Sequence, residues 1–374
     1  MPKKILYIAN VRLPTEKAHG VQIMEMCHAF AAVGKDVELV VPRRGNKILE
    51  EPFSFYDLPK DFLITRLFTW DLVQFGPIGF LIQSLTFTFV AFFYTWNQHA
   101  FFYSREDLFL FLLSFTKQPY VYEVHAPRWH FVTRRAIAHA VFVVPISHGL
   151  KDFYIQRGVE EARLFVAPDG VNLGRFTITE SKEESRKRLG LPADKKIALY
   201  SGHLYERKGA HTFAEAAKLL GNDILCVFVG GTDDDITEFK KMYGTVQNIR
   251  ILGHRPHQDI PYYLKAADVL ILPNSAKDAD SRLYTSPMKL FEYMASGTPI
   301  AASNVPSLRE VLNEQNANLV RPDDPHSLSE SLSGLLAGSK EVEDRCAHAK
   351  KDAQMLSWDM RVDQILQQIL RVAQ

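Results

Sequence analysis

The sequence predicts an α/β protein with two domains, each built on a doubly wound parallel sheet. Its 374 residues exceed the size of a usual single domain, and short apolar segments alternate with helix-period segments in two successive runs. A charged, mostly non-aromatic segment, 177–196, separates the runs and is expected to be a connector. We therefore predict a first domain over residues 1–185 and a second over residues 190–356.

The first run opens as a βαβ unit. A continuous apolar segment at 5–9 predicts a buried strand, and the apolar residues that recur at i, i+4, i+7 and i+8 from Ile23 predict a helix that Gly34 ends. A second apolar strand follows, so a parallel sheet is expected. The predicted strands are 5–9, 37–42, 100–103, 120–124 and 140–146, with a helix at 107–115.

The second run repeats this alternation after the connector. Its predicted strands are 197–201, 224–229, 249–252, 269–272 and 299–302, and its predicted helices are 209–220, 236–243, 261–266 and 287–295. The segment 341–374 contains neither proline nor glycine and is predicted to be helical throughout. Two such domains place their ligand crevices at the carboxyl ends of the strands, and we expect these ends to face a common cleft.

Composition excludes several classes of protein. Lys and Arg number 44 against 43 Asp and Glu, so the charge does not favour nucleic acid as a partner. Hydrophobic residues make up 47% and charged residues 23%, which excludes a mainly disordered chain. Cys27, Cys226 and Cys346 form no disulfide framework, and the apolar run at 5–9 is too short for a signal peptide. These features favour a cytoplasmic setting.

The segment 75–96 is nearly uncharged and close to the length that spans a bilayer. Gly76 and Pro77 near its start, polar residues within it and the lack of flanking cations argue against a span. We expect a buried or membrane-surface element, and of these a core helix is favoured. The alternative is a surface for a lipid-linked acceptor, supported by arginines in the same half: Arg43, Arg44, Arg128, Arg134 and Arg135.

The strongest local signal is the helix start at Ser286-Pro287. Serine suits the N-cap and proline the first helical position, and the unpaired amides there attract a phosphate. Glu292 follows within two turns, and its carboxylate could accept hydrogen bonds from both hydroxyls of a ribose. An ordinary capped helix with a solvated glutamate is the alternative.

A second signal lies between a predicted strand and a helix. Gly202 would allow close approach of backbone to a ligand, and Lys208 would bring a positive charge to a diphosphate. Gly230 marks another glycine turn at a strand end. Neither turn has the pattern of a P-loop or of a GxGxxG dinucleotide site, which argues against an NAD enzyme. A plain turn with solvated charges is the alternative.

In the first half, His125 stands at the carboxyl end of a predicted strand. It could donate a hydrogen bond or act as an acid or base near neutral pH, although a structural role is the alternative. Gly20 could allow close backbone approach at a helix start, or be a simple loop glycine. The other histidines nearby lack metal-ligand spacing, and no GxSxG elbow occurs, so neither a metal site nor a serine hydrolase is expected.

Taken in order, these residues resemble the retaining glycosyltransferases of family four, which have the GT-B fold and use nucleotide sugars. Each motif is weak alone, but the ordered set is specific for the family. The set includes Gly20-Val21-Gln22-Ile23, Glu123-Val124-His125, Ser147-His148-Gly149-Leu150-Lys151, Pro168-Asp169-Gly170-Val171-Asn172, Gly202 with Lys208-Gly209, Val229-Gly230-Gly231, Leu252-Gly253, Ala267-Asp268-Val269, Leu272-Pro273, Ser286-Pro287 with Glu292-Tyr293-Met294-Ala295, and Ser357-Trp358.

The resemblance implies two Rossmann-like domains and a last helix, about 357–374, that crosses back to the amino-terminal domain. The second domain would bind a UDP- or GDP-sugar, and the first a glycan or lipid-linked acceptor. Lys208 matches the lysine on the diphosphate, Glu292 the glutamate on the ribose, His125 the histidine near the reacting centre, and Gly20 the glycine near the diphosphate. A hexose would be transferred with retention in glycan, polysaccharide or glycolipid synthesis, without metal or cofactor.

Two positions depart from the family pattern. Tyr284 stands where a first glutamate is usual, and His203 where an arginine contacts the diphosphate. Rivals to a transferase are therefore a non-catalytic nucleotide-sugar binding protein and a GT-B epimerase. The loop resembles a variant that holds the donor through backbone amides, so phosphate binding would depend on Lys208, Arg207 and the helix start. The remaining donor-site candidates are Gly202, His203, Gly230, Tyr284, Thr285, Ser286, Pro287 and Met288.

Composition and the apolar segment set the expected location. We expect a cytoplasmic protein, and peripheral contact with the inner face of the plasma membrane is the alternative that segment 75–96 leaves open. Its partners would be the nucleotide-sugar donor and the acceptor, with no nucleic acid.

Overall fold

A computed structural model describes residues 3–372, which form two α/β units with one six-stranded sheet each. The first unit extends to Pro168 and resumes at Trp358, and the second covers Asp169–Ser357. Every pairing of neighbouring strands is parallel. The prediction of two doubly wound parallel sheets is thus confirmed.

The first sheet has the order β3-β2-β1-β4-β5-β6. Its strands are β1 (Lys4–Ile8), β2 (Asp36–Pro42), β3 (Leu63–Leu67), β4 (Phe101–Ser104), β5 (Tyr120–Val124) and β6 (Phe142–Pro145). Its helices are α1 (Ala18–Ala32), α2 (Pro52–Phe55), α3 (Gly76–Thr95), α4 (Asp107–Leu113), α5 (Phe131–His139) and α6 (His148–Ile155). Strand β1 is central and apolar, which buries it on both faces.

The second sheet has the order β12-β11-β10-β7-β8-β9. Its strands are β7 (Lys196–Ser201), β8 (Ile224–Val229), β9 (Ile249–Gly253), β10 (Val269–Leu272), β11 (Ile300–Ser303) and β12 (Asn318–Val320). The helices are α7 (Leu173–Phe176), α8 (Lys182–Leu189), α9 (Ala210–Ala217), α10 (Asp233–Tyr243), α11 (Ile260–Ala266), α12 (Met288–Ser296), α13 (Pro306–Arg309), α14 (Pro325–Ala337) and α15 (Lys340–Ala353). Apolar side chains from β7, β8 and β10 fill the core on both faces of this sheet.

The prediction of one continuous helix over 341–374 is wrong. Helix α15 ends at Ala353, a 3-10 turn follows, and α16 (Trp358–Val372) begins after an extended Ser357. The break coincides with a tertiary bond, since the Leu356 carbonyl accepts from the amide of Val171 at 3.0 Å. Helix α16 belongs to the first unit. Residues 373–374 lie outside the described residues.

The segment 169–185, which the sequence places in the first domain, lies in the second unit. Besides the Val171 bond, Lys182 Nζ lies 2.9 Å from Oδ1 of Asp268, and Arg186 Nη2 lies 2.6 Å from Oδ2 of the same carboxylate. These charges anchor the connector on the loop before β10. The boundary therefore falls at Pro168.

Candidate active site

Two of the predicted glycines meet at the carboxyl edge of the second sheet. Gly202 follows β7 and Gly230 follows β8, both with positive φ, at 126° and 113°. A Cβ on Gly230 would lie only 2.5 Å from the carbonyl oxygen of Gly202, so a side chain there would collide with backbone. At these two neighbouring strand ends, backbone atoms without side chains are therefore in direct contact.

Lys208 closes the short 3-10 turn that leads from this surface into α9. Burial lowers the pKa of Lys208 to about 8, the charge of Arg207 adds to this effect, and Asp278 and Asp280 oppose it. Arg207 itself is exposed. Its guanidinium carbon lies 5.6 Å from the centre of the Tyr205 ring, and its carbonyl accepts a hydrogen bond from the amide of Ser275 at 3.2 Å. Lys208 is thus the partly desolvated cation of the pair.

His203 is turned toward other side chains of its own unit. Its ring stacks on Tyr205 with centroids 4.9 Å apart, and Nδ1 lies 3.6 Å from Oδ2 of Asp235 at the start of α10. Its carbonyl accepts a hydrogen bond from the hydroxyl of Tyr200 at 2.5 Å. These contacts fix both the ring and the backbone of His203.

The loop before α12 differs by one residue from the predicted helix start. Pro287, with φ −78° and ψ 118°, is the N-cap, and α12 begins at Met288. Ser286 does not cap the helix, because its hydroxyl accepts from the amide of Asp169 at 3.0 Å. Tyr284 ends a five-residue π-helical turn, and Thr285 is extended. The free amides of the first turn are therefore those that follow Pro287.

Glu292 lies on α12 and is held by a residue that the sequence did not single out. Its Oε1 is 3.0 Å from Nε2 of His257. Nδ1 of the same ring is 2.8 Å from Nη1 of Arg175, which can only donate. Nδ1 therefore accepts, so Nε2 carries the proton and donates it to the carboxylate. No local motif links positions 175, 257 and 292, which is why sequence reasoning missed this chain.

In the first unit, His125 follows β5 and contacts a buried carboxylate. Its Nε2 lies 2.5 Å from Oε1 of Glu123. Burial lowers the pKa of His125 to about 4, the charge of Arg105 contributes, and Glu123 opposes the shift. The imidazole is therefore neutral at pH 7 and can serve as a hydrogen-bonding group.

Glu123 is fully buried and fully engaged. It accepts from Gln22 at 2.7 Å, from Arg361 of α16 at 2.9 Å, and from the Tyr103 hydroxyl. Burial alone would raise the pKa of Glu123, but Arg361, His125 and Tyr103 outweigh it and hold the pKa well below its usual range. Glu123 is thus an ionised group that orients the His125 ring.

A pocket of about 200 Å³ opens beside His125 within the first unit. Polar side chains dominate its wall: Asn10, His19, Arg105, Glu106, His125 and Arg128. Such a wall offers many hydrogen bonds to a hydroxyl-rich ligand.

Gly20 does not line this pocket. Its amide donates to the Lys17 carbonyl at 2.9 Å, and a Cβ there would lie 2.2 Å from the Tyr56 hydroxyl oxygen. Packing against Tyr56 therefore explains why a glycine is needed here, and contact of Gly20 with a diphosphate stays a prediction.

Within residues 3–372, no group of three or more His, Cys, Asp or Glu side chains is arranged to hold a metal ion.

Two Rossmann-like parallel-sheet units, each with polar groups at the strand ends, define a protein of the GT-B class. Known structures agree with this assignment. Sucrose-phosphate synthase from Thermosynechococcus elongatus matches at a TM-score of 0.79 and 20% identity, over 99% of each chain. HepE from Anabaena, in complex with UDP-glucose, matches at 0.75 and 17%, over 98% of this chain and 99% of that one. These likenesses show the fold.

A match to a known family covers part of the second unit. Residues 181–353 match the family Glycosyl transferases group 1, in agreement with the resemblance of the motifs. The putative teichuronic acid biosynthesis glycosyltransferase TuaC of Bacillus subtilis is 30% identical over 206 residues, which cover 53% of this chain and 48% of that protein. The chain thus spans about half the length of the curated relatives it matches.

Proposed function

We propose that this protein transfers a hexose-type sugar from a nucleotide-diphosphate sugar to an acceptor hydroxyl, with retention at the anomeric carbon and without a metal ion. One observation carries the proposal. The first turn of α12 lies against the glycine turn after β7, since a Cβ on Gly202 would be 3.6 Å from Nζ of Lys289. This contact brings the helix that bears Glu292 to the strand end that leads to Lys208.

The donor site can stabilise the leaving diphosphate. Negative charge develops on the diphosphate as the glycosidic bond breaks, and Lys208 and the amides that follow Pro287 would stabilise it more in the transition state than in the ground state. Glu292, oriented by His257, would accept hydrogen bonds from the ribose hydroxyls. Protein cations and amides would then do the work of a metal ion. HepE binds UDP-glucose, which supports a UDP-sugar among the donors to be tested.

In the first unit, the neutral His125 would bond a sugar hydroxyl at the pocket. Its orientation is fixed by Glu123, so this bond needs no reorganisation when the ligand arrives. The pocket's other polar groups would contact an acceptor glycan.

The test is turnover with purified protein. UDP-, GDP- and ADP-hexoses are mixed with glycan and polyprenyl-linked acceptors, and the anomeric configuration of the product is read by NMR, with and without EDTA. A product of inverted configuration or strict dependence on Mg²⁺ would contradict the proposed mechanism. Nucleotide binding without transfer would favour the non-catalytic alternative, and conversion of the donor without acceptor would favour the epimerase.

We further propose that the outer face of α3 contacts a lipid bilayer. Val73–Thr95 is long and apolar enough to cross a membrane, yet only 33% of its most apolar window is buried within the protein. The buried side of the helix carries Gln83 and Ser84, which bond Asn10, and Phe87 and Ala91, which join the hydrophobic core. Its exposed side carries Ile78, Phe80, Leu81, Leu85, Phe89 and Phe93.

The surface beside α3 matches anionic headgroups. Helices α3 and α4 pack together, as do α4 and α5. In the stretch 111–140 the one acidic residue, Glu123, is fully buried, so the exposed charges there are positive. They accompany exposed Phe115 and Phe131. Cations and aromatic rings next to an apolar helix face are typical of peripheral binding to the inner, anionic leaflet.

A further inference from the structure

Lys289 is an unpartnered buried cation at the start of α12. Its Nζ is shielded from solvent and has no hydrogen-bond partner among the described residues. The ammonium lies 3.8 Å from the centre of the Tyr200 ring, a cation–π contact that holds it in place. A buried ammonium without hydrogen bonds is costly, so its position requires an explanation.

The surroundings of Lys289 are those of an anion site. Gly202 has φ 126° and no side chain, and a Cβ at this position would lie 3.6 Å from Nζ of Lys289. The space beside the ammonium is therefore left open to a ligand. Burial and the nearby charge of Lys208 lower the pKa of Lys289 well below its usual range, and Glu292, one turn along α12, opposes the shift. Lys289 thus lies beside the glycine turn that leads to Lys208, and two lysines at this strand end favour a ligand with at least two negative charges.

His203 is not placed to supply a second positive charge to a diphosphate, because its ring contacts other side chains. Its ring is stacked on Tyr205 and directed toward Asp235, and its backbone is fixed by Tyr200. The same Tyr200 carries Lys289 on its ring face. The hydroxyl of Tyr200 thus bonds the backbone of His203, and the face of its ring contacts the ammonium of Lys289.

We propose that Lys289 is the second cation on the donor diphosphate, acting with Lys208 in the role that an arginine at position 203 would have. This assignment rests on the proposed function. The ammonium of Lys289 and the amides that follow Pro287 stand at the same helix start. They would bind the same phosphate oxygens, in the space beside Gly202.

The test compares K289M and K289R with K241M, which removes an exposed lysine of α10 in the same unit. Affinities for the diphosphates UDP, GDP and ADP and the monophosphates UMP, GMP and AMP are measured by calorimetry, and the unfolding temperature of each ligand-free protein is recorded. We expect K289M to lower the preference for the diphosphate over the monophosphate at least tenfold. K289R should retain most of that preference, and K241M all of it.

The unfolding temperature separates binding from structure. Because methionine removes an unpaired buried charge, ligand-free K289M should unfold at the wild-type temperature or above it. Should K289M fail to fold, K289Q carries the same comparison. An unchanged diphosphate preference in a folded variant, or an equal loss for mono- and diphosphate, would overturn the role of Lys289 alone. If the wild-type protein binds none of UDP, GDP and ADP, the proposed function fails and the role of Lys289 with it.

Discussion

Nε2 of His257 lies 3.0 Å from Oε1 of Glu292, and Arg175 donates to the other ring nitrogen. The arginine thereby fixes the tautomer that donates to the carboxylate. Glu292 is only 8% exposed, so the contact with His257, and not water, fixes the orientation of its carboxylate. The relationship makes His257 a positioning residue for the proposed ribose ligand.

Substitution of Glu292 is expected to reduce transfer more than substitution of His257. E292A should lower turnover tenfold or more, or about 1.4 kcal/mol per factor of ten, because the ribose loses its acceptor. H257F should raise KM with a smaller change in kcat, since the carboxylate remains but is no longer oriented. E238A, at an exposed site on α10, is the matched control. Wild-type kinetics for E292A would remove Glu292 from the site.

Binding of the donor should depend on pH through Lys208. The pKa of Lys208 is lowered to about 8 in the ligand-free protein, and a bound diphosphate would raise it. Affinity for a UDP- or GDP-sugar, whose diphosphate has no group that titrates near neutrality, should therefore be level near pH 7 and fall as pH rises past 8, because the ammonium is lost. In K208R the side chain stays protonated, so calorimetry should show a flatter profile. K208A should lower turnover tenfold or more, and an equally steep profile in K208A would exclude Lys208 as the titrating group.

Removal of Arg361 is expected to destabilise the first unit strongly. R361M leaves the buried carboxylate of Glu123 without its cation, a change that costs about 3–5 kcal/mol in comparable buried pairs. R371M, in the exposed last turn of the same helix, should have little effect. Chemical denaturation of both variants measures the difference, and equal stability would show that the ion pair is not needed.

The same pair predicts a dependence of stability on acid. Since the folded-state pKa of Glu123 is held below its unfolded value, its contribution is present above the unfolded pKa, about 4.3. That contribution is lost as pH falls further toward the folded-state pKa. Wild-type unfolding free energy should thus drop below pH 4 more steeply than that of E123Q.

Binding to vesicles tests the α3 surface. Wild-type protein should float with vesicles that contain phosphatidylglycerol and bind less to phosphatidylcholine alone or at high salt. F89S/F93S should reduce flotation, whereas L219S, which alters an exposed apolar residue of the second unit, should not. Reversible dimers without lipid that F89S/F93S abolishes, together with no flotation, would identify a second copy as the partner instead.

The sequence predicted every described strand except β3 and β12, including edge strand β9, which is only partly buried. Central β1 and β7 are continuous apolar runs, so their pattern stands out. Edge strand β3, with the sequence Leu-Ile-Thr-Arg-Leu, is only partly buried, and edge strand β12 has three residues, so neither carries a distinctive pattern. Both were missed for that reason.

In the candidate site, the residues that stand in local motifs were predicted, and those that act through tertiary contacts were not. Gly202, Lys208 and Glu292 stand in local motifs and could be singled out from the sequence. Lys289 stands in the same motif as Glu292, yet its role depends on Tyr200, which is 89 positions earlier in the chain. His257 is likewise brought to Glu292 only by the tertiary fold. Contacts between distant segments leave no periodic or local signal, and the structure is needed to find them.

Because α16 belongs to the first unit, the two units cannot mature in the order in which the ribosome makes them. The nascent first unit exposes Glu123 without the guanidinium of Arg361, which is 238 positions downstream. The second unit, whose chain is uninterrupted, can reach its native state before α16 emerges from the ribosome. The first unit, although most of it is made earlier, is completed only when α16 leaves the exit tunnel.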